Sequence, residues 1–560
     1  MITENKDYYT FQKSRSGEIV PLIEGHPLHS SIDPKREAQR LVSTIKPETG
    51  FLIFFGLGGG FFPEAALEQT DANVIVIDYN QKGISELFSS IDLTHLIKNE
   101  RFSFLNCPSG EEIKSFILEN YKPALFGGIR VIPLRPRVET DKLLFDAAAA
   151  SMQAAIDIVS GDYTVQSHFG KRWFNNIIRN IKQLAVSSEQ VTENNERVVK
   201  NKTPVKEAAI IAAGPSLDLQ LQEIKELKAR NGFIISTDTA LPVLAHNKII
   251  PDAVVSIDCQ HISYYHFLYC SFSAKKHRNN PGSIPLFIDI ASPPQLSRLK
   301  GFSPVFFSSD HPLARYFSRD LLPFLDTSGA NVTYACLSAA EYFGAKRIHL
   351  FGADFSYINS QSYARGTYIY PYFYKRQNRL SPIEAQFSKF LYRSPFLTKN
   401  SGQKTIKSEL LTKSREQYYE TASLRFYREK FEEKASLMDA EIICAKGMGA
   451  PVSICREQGA VSREQLSGSN EQLAEKNEQK VKKYCVEFLE SYRKDIEALP
   501  EAEGKSNYFN KLNEKERQVF TTLLPYLAAV RKREPELTLK DLIQEVKRRC
   551  TAEIERVTGG

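Results

Sequence analysis

A buried strand that runs straight into a glycine, a proline and a hydroxyl can hold an anion. The segment AAIIAAGPSLDLQ (208–220) has this form: an apolar, β-prone run, then Gly214, Pro215 and Ser216, then a helical pattern from Leu217. Such a turn presents free backbone N–H groups at a helix N-terminus, where the helix dipole adds partial positive charge. Gly214 allows the tight turn, Pro215 fixes φ, and Ser216 either caps the helix or binds the anion. Taken alone, the turn is read as a plain helix cap as readily as a phosphate site.

Other strand ends carry polar groups too. FIISTDTA ends in Thr237 and Asp238, DAVVSIDCQH in Asp258, and HLFGADFSY in Gly352 and Asp354. LDTSGANVT (325–333) sets Ser328, Gly329 and Asn331 before a helix. In a parallel sheet these carboxyl ends share one edge, and that edge is where open α/β sheets bind ligands. Acids there can bind ribose hydroxyls, orient a metal or act as a general base. His261 and His311 follow strands of the same series and are conceivable bases. Lys446 in AKGMGA and Arg365 in YARGT can meet a phosphate or carboxylate, although a solvated face explains each alone.

GLGGG (56–60) is a weaker motif. Gly56 and Gly58 follow a strand, and Asp78 ends the next one at the spacing of a ribose-binding acid. The third glycine position falls on Phe61, so a purely structural turn is an equal reading. His29 reads as a structural or capping residue.

The elements that must position these groups follow a βα rhythm. FLIFF, NVIVIDYN (73–80), FSFLNC (102–107) and GGIRVIPL (127–134) alternate with helical stretches, and a second series runs from 208 to 355. Alternating strands and helices imply mostly parallel sheets. The expected fold is therefore α/β: two Rossmann-like α/β domains, N-terminal and central, followed by a C-terminal helical domain. The expected boundaries are 1–165 for the N-terminal domain, 166–203 for a helical linker, 204–460 for the central domain and 461–560 for the helices. Thr538 and Asp541 form a capping box in that tail.

Bulk properties bound the class. The 560 residues suit two to four domains, and 42% hydrophobic with 25% charged residues is ordinary for a globular chain. No uninterrupted apolar run long enough to span a bilayer is present, and the start lacks a secretory h-region, so a cytoplasmic protein is expected. The eight cysteines include no C-x-x-C pair or zinc-type spacing. A net charge of +7 suits an anionic ligand without demanding nucleic acid.

Several motifs together resemble the motility-associated factor (Maf) flagellin glycosyltransferases: GPSLD with the following STDTA, PDAVVSID, SGANV and LFGADFS. HPLHSSIDPKREAQRL (26–41) with its glycine-rich strand turn, and LRFYREKFE followed by AKGMGA, extend the likeness over most of residues 20–455. The resemblance implies transfer of a nonulosonic acid, of pseudaminic or legionaminic type, from a CMP-activated donor to Ser or Thr of flagellin, supporting filament assembly and motility. It implies a central domain similar to bacterial sialyltransferases. Carried over, Gly214, Pro215 and Ser216 would line the CMP phosphate, and Thr237, Asp238 and Asp258 the nucleotide and sugar. Ser328, Gly329 and Asn331 would close the other side. Asp354 would face the reacting centre, and Asp258 or Asp354 would serve as general base. No cofactor or metal ligand is required, although the acids leave room for Mg²⁺. The implied partners are flagellin and the nucleotide sugar, with no nucleic acid and no membrane insertion.

The sequence departs from the family at Gly447-Met448-Gly449, where a glutamate-bearing turn is usual, and at Gly352-Ala353-Asp354, where Gly-Gln-Asp is usual. These departures point to an unusual donor sugar. Two rival readings keep the same central fold: a pterin pyrophosphokinase-like enzyme using ATP and Mg²⁺, and a non-catalytic flagellin-binding protein.

Overall fold

The computed structural model describes residues 9–186, 205–268, 270, 283–319, 321–358, 360–393, 397–401, 417–454, 478–502 and 508–559. The polar stretches 189–204, 402–414 and 462–477 lie outside the described residues, as does Cys455. The chain divides into two compact units, Met1–Lys171 with Arg493–Ala552 and Arg172–Tyr492 with Glu553–Gly560.

The first unit opens with a small antiparallel sheet, β1 (Thr10–Lys13), β2 (Ile19–Ile23) and β3 (His26–Pro27). Its main sheet is parallel, with β4 (Phe51–Phe55), β5 (Asn73–Asp78), β6 (Phe102–Asn106) and β7 (Ile129–Pro133) in the order β6-β5-β4-β7. β4 is apolar at every position because both faces are covered. One face packs on Leu57, Phe62 and Leu87, the other on Ile113, Ile117 and Phe145.

The glycine turn after β4 is filled by the protein itself. The Gly59 N–H donates to His29 Nε2 at 3.0 Å, and the His29 ring sits against Phe61 and Phe62. Burial lowers the His29 pKa to about 3, so the ring is a neutral acceptor, as its structural reading expected. Asp78 is fully buried and accepts Leu57 N at 2.7 Å, Tyr79 N at 2.7 Å and Arg137 Nε at 2.8 Å. The acid with ribose-like spacing is thus one half of a buried ion pair, which corrects the nucleotide-site alternative for this turn.

The second unit contains a seven-stranded parallel sheet. Its strands are β8 (Glu207–Ile211), β9 (Phe233–Thr237), β10 (Ala253–Ser256), β11 (Ile284–Asp289), β12 (Phe302–Phe307), β13 (Arg347–Phe351) and β17 (Glu441–Cys444). The order is β12-β11-β10-β9-β8-β13-β17. A three-stranded antiparallel sheet of β14 (Tyr357–Ile358), β15 (Leu397–Ser401) and β16 (Gln417–Thr421) stands apart from it, in the order β14-β16-β15.

The helices depart from the expected boundaries. Lys142–Val186 is one 45-residue helix that runs through the expected boundary at 165 and contributes to both units. It is long and apolar enough, by length and composition, to cross a membrane, although no uninterrupted apolar run was found in it. Its segment beyond residue 171 is core: Phe174, Ile177, Ile178 and Ile181 are fully buried. The C-terminal helices are shared between the units instead of forming their own domain. Tyr484 OH donates to Phe317 O at 2.8 Å in the second unit, whereas Lys122 lies over the Phe509 ring in the first. The physical reason is amphipathicity: each of these helices carries an apolar stripe that needs an existing core to cover it. At the last helix Thr538 Oγ1 accepts from Asp541 N at 3.2 Å and donates to Asp541 Oδ2 at 2.7 Å, which is one half of the expected capping box.

Candidate functional site

The strand order reverses beside β8. From there, β9 to β12 run one way, and β13 and β17 the other. In open α/β sheets the crevice outside the carboxyl ends at such a switch point is the ligand site. Here it is formed by the turns after β8 and β13.

The two turns are tied by Asp354. Ser216 N donates to Asp354 Oδ2 at 2.8 Å, and Gly214 N donates to Gly352 O at 2.8 Å. Ser216 does not cap its helix through its side chain. Its hydroxyl accepts Met448 N at 2.8 Å from the loop after β17. That loop is held further by Gln220, which donates to Lys446 O and accepts from Gly352 N. A Cβ at Gly214 would lie 2.4 Å from Asp354 Oδ2, and one at Gly449 would lie 2.6 Å from the Asp354 Cβ, so only glycine fits on either side of the acid. Pro215 sits between these residues in the same turn. Asp354 is buried, and burial raises its pKa while the hydrogen bonds from Ser216 oppose the rise. Of the amides expected to meet a phosphate, Ser216 N is thus satisfied by an internal carboxylate and Gly214 N by a backbone carbonyl.

The next strands carry an acid row. Thr237 Oγ1 donates to Ile211 O at 3.1 Å and accepts Ala240 N, locking the end of β9 to β8. Asp238 is buried, with Oδ2 accepting Ser256 Oγ at 2.7 Å and Oδ1 accepting Thr239 N at 2.7 Å. Asp258 is only half buried, and its Oδ1 accepts Gln260 N at 2.8 Å. Burial raises the Asp258 pKa, hydrogen bonds from Gln260 oppose this, and the charge of Asp238 adds to the rise. His266, Tyr368 and Tyr427 act on Asp258 or feel its charge, and Tyr363 feels that of Asp238. The His266 ring lies 4.6 Å from that of Tyr368, is buried, and has an unpartnered Nδ1. Burial raises the pKa of all three phenols, which keeps them neutral.

Ser328, Gly329 and Asn331 form a separate, self-contained cap. Asn331 Oδ1 accepts Tyr334 N at 3.0 Å and its Nδ2 donates to Gly329 O at 2.8 Å, capping Val332–Tyr342. Ser328 Oγ lies 3.1 Å from Tyr334 OH, which donates to Asp326 at 2.6 Å. No hydrogen bond among the described residues joins this cap to the acid row. Of the other candidates, His311 caps Pro312–Ser318 through Nδ1, and burial lowers its pKa to about 3. Arg365 N donates to the Asp218 carboxylate, and His261 opens the short helix Ile262–Tyr265.

Sequence reasoning missed two features of this edge. Asp289 ends β11, accepts Ala291 N at 2.8 Å and is buried, which raises its pKa to about 6. Its signal was the acid closing an apolar strand, as at Asp238. Asn176 and Asn180 lie in the segment read as a linker. Asn176 Nδ2 donates to Cys259 O and Ala291 O, and Asn180 Nδ2 to Ile290 O and Ser292 O, clamping the loops after β10 and β11. Their four-residue spacing puts both on one helix face.

Known proteins match parts of this architecture. The model of the family described as 6-hydroxymethylpterin diphosphokinase MptE-like matches residues 175–360, from the two asparagines to just beyond Asp354. A Treponema pallidum (strain Nichols) protein described as uncharacterized is 31% identical over 188 residues, covering 33% of this chain and 85% of that protein. A second from the same organism is 39% identical over 136 residues, covering 23% of this chain and 49% of that one. The structure of MAf glycosyltransferase from Magnetospirillum magneticum AMB-1 is similar with a TM-score of 0.54 at 13% identity, over 100% of this chain and 93% of that chain. At that identity the likeness concerns the fold.

Proposed function

This chain belongs to one family with the Treponema pallidum protein that is 31% identical to it over 188 residues, and we propose that its acid-rich sheet edge is a glycosyltransferase site. The reaction is transfer of a nonulosonic acid from a CMP-activated donor to Ser or Thr of flagellin, in support of filament assembly. The observation that carries this reading is the gathering of the Gly-Pro-Ser turn, Asp238, Asp258 and Asp354 on one carboxyl edge, on a fold shared with a glycosyltransferase.

Asp258 is the better placed of the two candidate bases. It is half exposed to an incoming hydroxyl, and its raised pKa makes it a stronger proton acceptor than an ordinary carboxylate. The neutral phenols of Tyr368 and Tyr427 can donate to the sugar. Asp354 acts here by holding the Ser216 turn in place, and a donor phosphate takes over the Ser216 amide as that carboxylate withdraws. The cap at Ser328, Gly329 and Asn331 closes the far side of the donor. The bond from the anomeric carbon to the CMP phosphate breaks with oxocarbenium character, the acceptor oxygen bonds to that carbon, and its proton passes to Asp258.

The test is the intact mass of flagellin from cells with and without this gene. A drop by one or more sugar-sized units on deletion supports transfer, and unchanged flagellin removes it as acceptor. A second reading, an ATP- and Mg²⁺-dependent pterin diphosphokinase, is favoured by the family model over 175–360. Thermal protection by CMP but not by ATP with Mg²⁺ discards it. A non-catalytic flagellin-binding role is discarded if Asp258→Ala abolishes modification while flagellin binding persists.

A further inference from the structure

The turn that follows the short helix Ile369–Tyr374 is the most exposed apolar point among the described residues: Leu380 is 94% accessible. The turn is not loose. Asn378 and Ser381 pair across it, and Asn378 Oδ1 accepts both Leu380 N and Ser381 N at 3.0 Å. Its base stands on an aromatic core of Tyr370, Phe373 and Phe387. A firmly built turn therefore presents a leucine to solvent.

The sequence around that leucine is basic. Between Ile369 and Arg393 there are five cations and one acid, an excess of four against +7 for the whole chain. Lys375, Arg376, Arg379 and Lys389 are exposed and have no ion pair among the described residues. Arg376 lies over the Tyr372 ring, 3.7 Å from its centroid, and Tyr372 and Tyr374 are both half exposed. An apolar tip, tyrosines beside it and unpaired cations around it match the three layers of a bilayer surface: acyl boundary, headgroup level and anionic phosphate.

We propose that the turn of residues 372–380 docks this protein on an anionic membrane surface, with Leu380 entering the interface and Lys375, Arg376, Arg379 and Lys389 meeting lipid phosphates. The shape selects a bilayer over an acidic polypeptide. A polypeptide needs a groove with pockets, whereas this turn is convex and its apolar residue is at the tip.

The experiment is co-sedimentation of the full chain with phosphatidylcholine vesicles, with and without phosphatidylglycerol, at low and high salt. Binding is expected only with the anionic lipid, and it weakens as salt rises. Arg376→Gln with Arg379→Gln is expected to weaken partitioning roughly thirtyfold, and Leu380→Asp to weaken it as well. Circular dichroism of each variant checks the fold, and Lys389→Gln, on a neighbouring helix, provides an independent charge removal. Equal binding to neutral vesicles, no binding to either, or variants that bind as the unsubstituted protein does would overturn the proposal. So would loop-dependent binding of polyglutamate without vesicle binding, which would make the turn a surface for acidic protein.

Discussion

At Asp258, burial raises the pKa while partial exposure leaves the carboxylate reachable. Asp258→Asn is expected to lower the transfer rate by roughly 10²–10⁴ with donor affinity little changed, read from kcat and KM separately. The rate of the unsubstituted protein should fall with acid at a higher pH than an ordinary carboxylate gives, because the base must be ionised. At Asp354 the expectation differs. Asp354→Asn keeps the shape of the tie but removes the internal charge, so CMP affinity measured by calorimetry should rise; a fall would mean that the acid itself contacts the donor. Asp289 makes a statement about stability. Its folded pKa of about 6 lies above the unfolded value, so the folded state binds the proton more tightly. The associated stability is full below about pH 4 and is lost as pH rises through about 6. Asp289→Asn should therefore stabilise the protein at pH 7.5 by up to about 3 kcal/mol, and the gain should vanish in acid, as read from denaturant midpoints.

At the scale of elements, the long helix Lys142–Val186 is a structural member of the second sheet through Asn176 and Asn180. Each side-chain amide closes carbonyls that strand connections would otherwise leave unpaired. Asn180→Leu strands two buried carbonyls and is expected to cost about 2–4 kcal/mol by urea unfolding. A cost below about 0.5 kcal/mol would show that the loops find other partners. The helical pattern of this segment is legible in the sequence, but hydrogen-bond partners more than 80 residues away leave no local trace. The strands, by contrast, were legible in place and type, although AAIIAAG and RIHLFGADF end at Ile211 and Phe351, before their polar ends. A short apolar run such as FLIFF or AAIIA, bounded by turn residues and set between helical stretches, reads as a strand buried on both faces.

At the scale of the molecule, the C-terminal helices serve the two α/β units. Cys485, Leu489 and Tyr492 are buried, and Phe488 packs on Tyr316 and Phe317 in the second unit. In the first unit, Lys515 pairs with Asp495, and Tyr508 packs on Phe520. A chain ending at residue 460 should therefore lose stability in both units. Burial of each large side chain contributes about 1.5–3 kcal/mol, so the loss approaches the whole stability of a domain. Limited proteolysis should show both units cleaved, whereas an independent helical domain would leave both resistant.

By itself, the sequence determined the αβ rhythm, the parallel sheets and the polar strand ends at 214–216, 237–238, 258 and 354, because period and burial are local properties of the chain. It also marked His29 as structural or capping, since the histidines do not cluster in the sequence; its place against the glycine turn was decided by the fold. Only the tertiary structure decided which anion occupies the Gly-Pro-Ser turn. Ser216 and Asp354 are separated by 138 residues, and the crossover that places β13 beside β8 brings the carboxylate onto the amide. The same holds for Asp78, whose spacing suited a ribose until Arg137 was found against it. A carboxylate at a strand end has one meaning with a cation buried beside it and another when half open to solvent, and that difference is set by contacts made across the fold.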